Sequence, residues 1–464
     1  MNSAPLIKEK NRFEDRSLGH RWKRLASYVG LARANLAFLG RLGLGRVEWP
    51  ALFEPHELDA GFFGVNCPPS PTPELEDLMF DSLREIGLRS VRVDWGYESD
   101  SQSAGRWLER LSAAGFDVLL HLVQPSAEAA RMSEEGARRR WAQFLEPIFD
   151  RFGARIRRYE IGSTPNRRRW SGYTVADYVA ACRTAHELAS ARGLEILGPN
   201  TSDFAPYFTV GILQACRRAG VRFAALTDNL FVDRAGAPET YDPSVAGRAL
   251  RNVARLDLTR KSAALAAIAK AFGIDRTYST YAYYTLSASG RRRKSRKRPW
   301  RYVSEETYAD FLVRHFVASA AAGALDRVYW GNLAGHYKGI LDDGYRHRPD
   351  PPSVHHKYHN YGEPSDYKRR PAFASFRHLV GRLQGARFVA ALSRRDPFVF
   401  LFERQGAMTA VAWSAKAEGE PSPQVDELLG QGAKVFSRDG QRLEIKPPAR
   451  LSGSPIYVLP GKAC

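Results

Sequence analysis

The hydrophobic pattern from Phe62 onward alternates between short apolar runs and longer amphipathic stretches. The short runs have the length and the β-branched and aromatic content of buried strands. The stretches between them place apolar residues every three or four positions, as helices packed on one face do. The eight predicted strands cover residues 62–66, 90–96, 116–125, 157–162, 194–200, 223–232, 276–285 and 326–332.

This alternation predicts an α/β protein with a parallel sheet, because consecutive strands that are joined through a helix run in the same direction. Eight strand–helix units predict a closed (β/α)8 barrel, the TIM barrel. An open doubly wound sheet is the alternative. Such a sheet usually carries a glycine-rich phosphate turn after its first strand, whereas the turn here reads NCPPSPTP and has no glycine.

The pattern changes on both sides of the barrel. After Gly385, short strands separated by Gly, Pro and Asp predict an all-β, sandwich-like domain. Before the barrel, residues 17–45 predict a basic helix. Its apolar stripe consists of Trp22, Leu25, Val29, Leu36 and Leu39. We favour a helical extension packed on the main domain over a helix lying on an anionic membrane surface. The expected domains are 1–59, 60–385 and 386–464.

The charge of the chain indicates an anionic partner. The 464 residues carry a net charge of +19, which favours acidic glycan, acidic lipid or nucleic acid, although arginine used for solubility explains it equally well. The run Arg291–Arg301 holds eight basic residues within eleven. Placed after the seventh strand, it would overhang the barrel mouth and attract phosphorylated or uronic-acid glycans. A solvated charge run and a nucleic-acid-binding segment are the alternatives.

Other features indicate a cytoplasmic protein without a metal or cofactor. The four cysteines match no zinc or redox spacing, so we expect free thiols. The first residues lack an apolar signal segment, so we expect a cytoplasmic location. Peripheral contact with the inner membrane face is the alternative. His355, His356 and His359 could approach a metal, but no carboxylate spacing supports a site.

Functional groups of a TIM barrel lie at the C-terminal ends of its strands. Polar and aromatic residues follow most of the predicted strands, which suits carbohydrate binding. The expected ligand-binding residues are Asn66, Arg92, Trp95, His121, Ser163, Thr164, Asn166, Asn229, Tyr283, Arg291, Arg292 and Trp330.

The order of short motifs along the barrel resembles that of clan A glycoside hydrolases, and most of all family 39, which includes β-xylosidase-like and iduronidase-like enzymes. The motifs are GVN, VRVDW, YEIGSTPN, GPN and YWG, followed by RRPAFASFRHLVGRLQGARFV and SGSPIYVLPG. The similarity runs from about residue 60 to the end of the chain. It implies a sugar-binding groove at the C-terminal end of the barrel.

The resemblance also implies where the catalytic glutamates should be, and both are replaced. Relatives carry the frame E-x-x-N-E-P-N after the fourth strand. Alignment on Glu160 and the following Pro-Asn places Ser163 at the amide and Thr164 at the acid/base glutamate. The nucleophile position at the end of the seventh strand falls on Thr280 or Tyr281. Retaining hydrolysis needs two carboxyl groups about 5 Å apart, so we expect this reaction to be lost.

We therefore expect a barrel that binds an anionic glycan or glycolipid, with bacterial envelope polysaccharide metabolism as its setting. An active glycosidase or transglycosylase with relocated acids is the alternative, and binding of nucleic acid by Arg291–Arg301 ranks third. Glu160 is expected to form a structural salt bridge with Arg92. The candidate catalytic residues are Asp94, Asp228 and Tyr281, with Asp233, Asp342 and Asp343 in reserve.

Overall fold

The structure is a computed structural model. It describes residues 29–37, 50–97, 99–230, 236–240, 256–286, 302–344, 359–416 and 419–461. The basic run Arg291–Arg301, and with it Arg291 and Arg292, lies outside these ranges, as do Asp233, His355 and His356.

Eight parallel strands form a closed barrel, which confirms the predicted TIM-barrel class. The strands are β1 Phe63–Asn66, β2 Ser90–Gly96, β3 Asp117–Val123, β4 Arg158–Ile161, β5 Glu195–Ser202, β6 Leu226–Asn229, β7 Thr277–Ala282 and β8 Arg327–Ala334. Each strand pairs with its sequence neighbours, and β8 pairs with both β7 and β1, so the sheet has no free edge within the barrel.

Eight helices surround the strands. They are α1 Pro73–Ile86, α2 Ser101–Ala113, α3 Glu135–Phe152, α4 Val175–Ser190, α5 Pro206–Arg218, α6 Leu258–Ala271, α7 Glu305–Ala322 and α8 Pro371–Leu383. Single turns of helix occupy Ser126–Ala129, Arg168–Ser171 and Pro364–Asp366. Five of the eight begin at a side chain that accepts a backbone N–H bond of the first turn, which is what Thr, Asp and Ser do at N-caps. These caps are Thr72, Asp100, Thr174, Asp257 and Ser304.

The interior of the barrel changes character from one end to the other. Leu119, Leu197, Tyr278 and Tyr329 form an apolar cluster near the N-terminal ends of the strands. Gly64 allows this packing, because a Cβ atom there would lie 2.5 Å from the Tyr329 ring. Charged and amide side chains take over toward the C-terminal ends, and this polar end is where the fold places functional groups.

An antiparallel sheet follows the barrel, as the all-β prediction requires. Its seven strands, in spatial order, are His56–Glu57, Arg387–Ser393, Phe398–Arg404, Ala407–Trp413, Ile456–Leu459, Lys434–Ser437 and Arg442–Leu443. Glu420–Pro421 and Arg450–Leu451 form a separate pair, and Pro423–Leu428 is helical. Gly339–Asp342 and Lys368–Arg369 extend the barrel sheet beyond β8.

The described part of the N-terminal extension, residues 29–37, is a helix that packs on α5. Leu31 and Ala34 are buried there, and the Asn35 side-chain amide donates to the Tyr207 carbonyl oxygen at 2.8 Å. The contact is close, because a Cβ atom at Gly211 would lie 2.0 Å from Leu31 Cδ2. The described helix thus packs on the barrel, as favoured, while Val29 and Leu36, the two described residues of the predicted stripe, are exposed.

Cys67, Cys182 and Cys216 are buried free thiols, as expected; Cys464 lies outside the described residues. No helix in the described part of the chain combines the length and apolarity needed to span a bilayer. Among the same residues, no three His, Cys, Asp or Glu side chains come together in a way that could hold a metal ion.

Candidate functional site

Arg92 lies at the centre of the polar end of the barrel. Its Nε is 2.8 Å from Glu160 Oε2, and its Nη1 is 2.7 Å from Asp94 Oδ1. All three side chains are buried, so each charge is compensated by a partner rather than by water. Burial alone would lower the pKa of Arg92, but the charges of Asp94 and Glu160 outweigh it and raise that pKa. The predicted salt bridge between Arg92 and Glu160 is confirmed.

His121 extends this network to β3. Its Nδ1 lies 2.8 Å from Asp94 Oδ1, and its Nε2 lies 2.8 Å from the Gly162 carbonyl oxygen. The Asn200 amide nitrogen is farther from Nε2, at 3.4 Å. Both ring nitrogens of His121 are therefore engaged, and the ring is fixed between β2 and the turn after β4.

Amide and hydroxyl groups complete the network. The Asn66 amide donates to Asp94 Oδ2 at 3.1 Å, and the Thr280 hydroxyl donates to Glu160 Oε1 at 2.8 Å. The Asn229 amide donates to Asn200 Oδ1 at 2.7 Å. The structure therefore brings together the predicted residues Asn66, Arg92, Asp94, His121 and Asn229 with Thr280.

The two carboxyl groups of this floor are buried and paired. Asp94 is 1% exposed and Glu160 is 0% exposed, and both are bonded to Arg92. Both carboxylates therefore hold Arg92 in place at the centre of the floor.

Tyr281 and Tyr283 lie above the floor, at the end of β7. The Tyr281 hydroxyl donates to Asn332 Oδ1 at 3.2 Å, and the Arg92 guanidinium lies 5.9 Å from its ring centre. Lys338 Nζ lies 3.7 Å from the ring centre of Tyr283 and 5.9 Å from that of Tyr281. These three partly exposed side chains form an aromatic and cationic rim.

The sequence prediction missed Lys338. It lies in the turn between β8 and the following strand, where the Arg370 guanidinium donates to the carbonyl oxygens of Gly335, His336 and Gly339. The signal was present, since this turn follows the C-terminal end of a barrel strand, where functional groups are expected.

The turn after β4 holds the residues at the expected amide and acid/base positions. Thr164 has a φ of +45°, a left-handed conformation that is costly for a β-branched residue. Its backbone N–H donates to the Asn200 carbonyl oxygen at 3.0 Å. Ser163 is buried beside it. Asn166, predicted to bind ligand, instead clamps the turn to β5: its amide exchanges two hydrogen bonds with the Ser202 backbone, at 2.9 and 3.0 Å.

Trp95 and Trp330 do not lie in the groove, contrary to the prediction that they bind ligand. Trp95 is buried against Phe152 of α3, and Trp330 is buried with its indole N–H donating to the Tyr308 hydroxyl at 2.6 Å. The reason is strand alternation, because Trp95 follows the inward-facing Asp94 and therefore faces the helices.

Asp228 lies on the outer side of the barrel wall for the same reason. It precedes the inward-facing Asn229, and its Oδ2 accepts from the Thr201 hydroxyl at 2.6 Å. Thr201 in turn contacts Thr209 of α5 at 2.9 Å. Burial raises the pKa of Asp228 to about 7, although the Thr201 hydrogen bond opposes the shift. The structure therefore does not bring Asp228 together with Asp94.

The two reserve acids that the structure describes, Asp342 and Asp343, are likewise engaged or buried. Asp342 accepts from His336 Nδ1 at 2.9 Å and pairs with Arg370 at 2.9 Å. Burial opposes ionisation there, but these partners together with the Gly344 backbone N–H lower the pKa of Asp342. Asp343 is fully buried.

Comparisons with known proteins support the fold. No protein-family model and no curated protein matches the chain. A family 39 glycoside hydrolase from the gut symbiont Bacteroides cellulosilyticus WH2 superposes with a TM-score of 0.60 at 14% identity, covering 87% of this chain and 81% of its own. A family 39 β-xylosidase from Caulobacter crescentus gives 0.54 at 12% identity, with coverages of 88% and 98%. A glucosidase from Croceicoccus marinus gives 0.52 at 15%, with coverages of 87% and 82%.

The structural neighbours are thus glycoside hydrolases of the clan A type, family 39 among them, as the sequence motifs indicated. At these identities the likeness concerns the fold, a TIM barrel followed by a β domain. What the groove does must be argued from the residues of this chain.

Proposed function

We propose that this protein binds an anionic glycan or glycolipid at the C-terminal end of its barrel and does not hydrolyse it. The observation that carries the proposal is the floor of the groove. There Asp94 and Glu160 are buried and bonded to Arg92. The sequence motifs align Thr164 with the acid/base glutamate and Thr280 or Tyr281 with the nucleophile. Bacterial envelope polysaccharide metabolism is the setting we propose for such a binding protein.

The geometry favours loss of hydrolysis over relocated catalysis. A retaining enzyme needs a nucleophile and a proton donor on either side of the scissile bond. The Thr280 hydroxyl donates a hydrogen bond to Glu160 Oε1, and a threonine cannot replace either of the two carboxyl groups that retaining hydrolysis needs. Asp228, the candidate whose raised pKa would suit a proton donor, lies outside the barrel wall.

The rim supports binding of an anion. The Arg92 guanidinium of the floor is already paired with Asp94 and Glu160, so attraction of an anion would come from groups above the floor and from the overall charge of +19. Lys338 provides a cation beside the faces of Tyr281 and Tyr283. An aromatic platform with an adjacent ammonium group suits a sugar ring that carries a carboxylate or phosphate.

Binding of oligogalacturonate and of its methyl ester tests the proposal, because the two differ only in charge. We expect calorimetry to show binding of the acid and about tenfold weaker binding in the Lys338→Gln variant, as for loss of one charge-assisted contact. Lys416→Gln, on the β domain and paired with Glu420, is the matched control and should bind as the wild type does. Neutralising Arg291–Arg298 should also weaken binding of the acid.

Turnover assays with aryl glycosides test the negative half of the proposal. We expect no hydrolysis above background. Hydrolysis that disappears in Asp94→Asn or Asp228→Asn would show that relocated acids are catalytic and would overturn the proposal. Salt-sensitive binding of RNA without binding of any acidic glycan would instead favour the nucleic-acid alternative.

A further inference from the structure

Exposed apolar side chains are concentrated at one place on this molecule. The large hydrophobic residues that the described chain exposes are Val29, Leu36, Tyr207, Tyr337, Leu392 and Met408. Two of these six, Val29 and Leu36, lie on the N-terminal helix and are 46% and 69% exposed. A third, Tyr207, lies on α5, where the helix contacts it, and is 39% exposed. Single exposed apolar residues are ordinary, but a cluster indicates an interaction surface.

The two faces of the N-terminal helix have different roles. Leu31, Ala34 and Asn35 attach the helix to α5. Val29, Ala32 and Leu36 are spaced by three and four residues, so they share the opposite, exposed face. Val29 and Leu36 belong to the apolar stripe that the sequence predicted. These two stripe residues therefore face outward on a helix whose other face is fixed to the barrel.

The sequence of this N-terminal segment carries only positive charge. The exposed Arg33 lies on the same helix. In the sequence, residues 17–46 contain six basic side chains and no Asp or Glu: Arg21, Lys23, Arg24, Arg33, Arg41 and Arg46. An exposed apolar face combined with basic residues is the composition of helices that lie in the headgroup region of anionic bilayers.

We propose that the surface formed by Val29, Arg33, Leu36 and Tyr207 binds the face of an anionic lipid bilayer, with the apolar side chains entering the headgroup region. This proposal is independent of the proposed glycan binding, because it involves none of the residues proposed to bind the glycan. A second copy of the chain fits less well, since pairing two such surfaces would bring like charges together.

Vesicle flotation of the full-length protein tests the proposal. We expect binding to vesicles that contain phosphatidylglycerol, little binding to phosphatidylcholine alone, and release at high salt. Leu36→Asp should reduce binding about tenfold or more, because it replaces an inserted apolar group by a repelled charge. Arg33→Glu should reduce it severalfold. Leu392→Asp changes a residue of similar size on the β domain, 38% exposed, and should bind as the wild type does.

Each other outcome contradicts the proposal. Failure of the wild-type protein to bind anionic vesicles would overturn it, as would equal binding by the Leu36→Asp and Leu392→Asp variants. Self-association in sedimentation experiments that Leu36→Asp abolishes, without vesicle binding, would identify a second copy as the occupant. Because Leu36 is exposed, the Leu36→Asp variant should unfold at the same temperature as the wild type, which shows that any loss of binding is not a loss of folding.

Discussion

A buried aspartate on the inner side of the barrel wall and one on the outer side have different partners. Asp94 faces inward, where Arg92 and His121 contact it. Asp228 faces outward, where the Thr201 hydroxyl is its bonded partner and burial raises its pKa to about 7. Both residues lie near the C-terminal ends of barrel strands and neither is exposed. The comparison teaches that position along a strand does not define a catalytic acid, because the side of the wall and its charges decide the protonation state.

The largest expected effect comes from removing the central cation of the inner side. Arg92→Met leaves Asp94 and Glu160 buried without their shared partner, and we expect about 3–5 kcal/mol less stability in urea unfolding. Arg183→Met removes an exposed ion pair with Glu187 on α4 and should change stability by less than about 0.5 kcal/mol. Similar losses in the two variants would mean that the inner network is not held together by Arg92.

On the outer side of the wall, Asp228 should make the stability of the protein depend on pH. Between the ordinary value of 3.8 and the folded value of about 7, the folded protein keeps a proton on Asp228 that the unfolded chain loses. Stability contributed by this group therefore falls as pH rises through that range and levels off above it. Three pKa units correspond to at most about 4 kcal/mol.

Unfolding of Asp228→Asn at several pH values measures this contribution. The variant keeps a neutral side chain, so its stability relative to the wild type should increase from pH 4.5 to pH 7.5. Asp81→Asn, at an exposed position of α1, is the control and should show no such trend. If the difference in stability between the Asp228→Asn variant and the wild type stayed constant across this range, the pKa of Asp228 would not be raised in the folded protein.

The smallest effect concerns the hydroxyl of Thr280, one of the two residues that align with the nucleophile position. Thr280→Val removes the hydrogen bond to Glu160 and leaves a buried carboxylate oxygen without that donor, which should cost about 1–3 kcal/mol. Thr280→Ser retains a hydroxyl and should recover most of the loss. If valine and serine behave alike in urea unfolding, the hydroxyl plays no part in the inner network.

The hydrophobic pattern was sufficient to predict the barrel. The eighth strand, predicted at 326–332, is Arg327–Ala334, and the seventh, predicted at 276–285, is Thr277–Ala282. The pairing of Arg92 with Glu160 was also predictable, since inward carboxylates at the end of a barrel need a cation. Regular alternation of apolar and polar residues encodes both results.

The orientation of individual side chains at strand ends was harder to predict. β5 carries a register shift between Pro199 and Thr201, and β7 and β8 shift between Ser279 and Ala282, so the alternation cannot be counted through these points. Trp95 and Trp330 were assigned to the groove because they are aromatic and near strand ends. For Trp95, the unbroken alternation of β2 is enough to place the ring on the side opposite Asp94. For Trp330, the pairings of β8 with β1 and β7 carry register shifts, so its orientation could not be counted in this way.

The short strand His56–Glu57 links the two ends of the barrel sequence. It precedes β1, yet it pairs with Arg387–Ser393, which follows α8. The His56 ring also contacts the Ala320 carbonyl oxygen at 2.9 Å. Trimming the chain at residues 60 and 385 to isolate the barrel would therefore remove both strands of this pair. Versions for expression or crystallisation should start before Ala51 and continue at least through the first hairpin of the β domain.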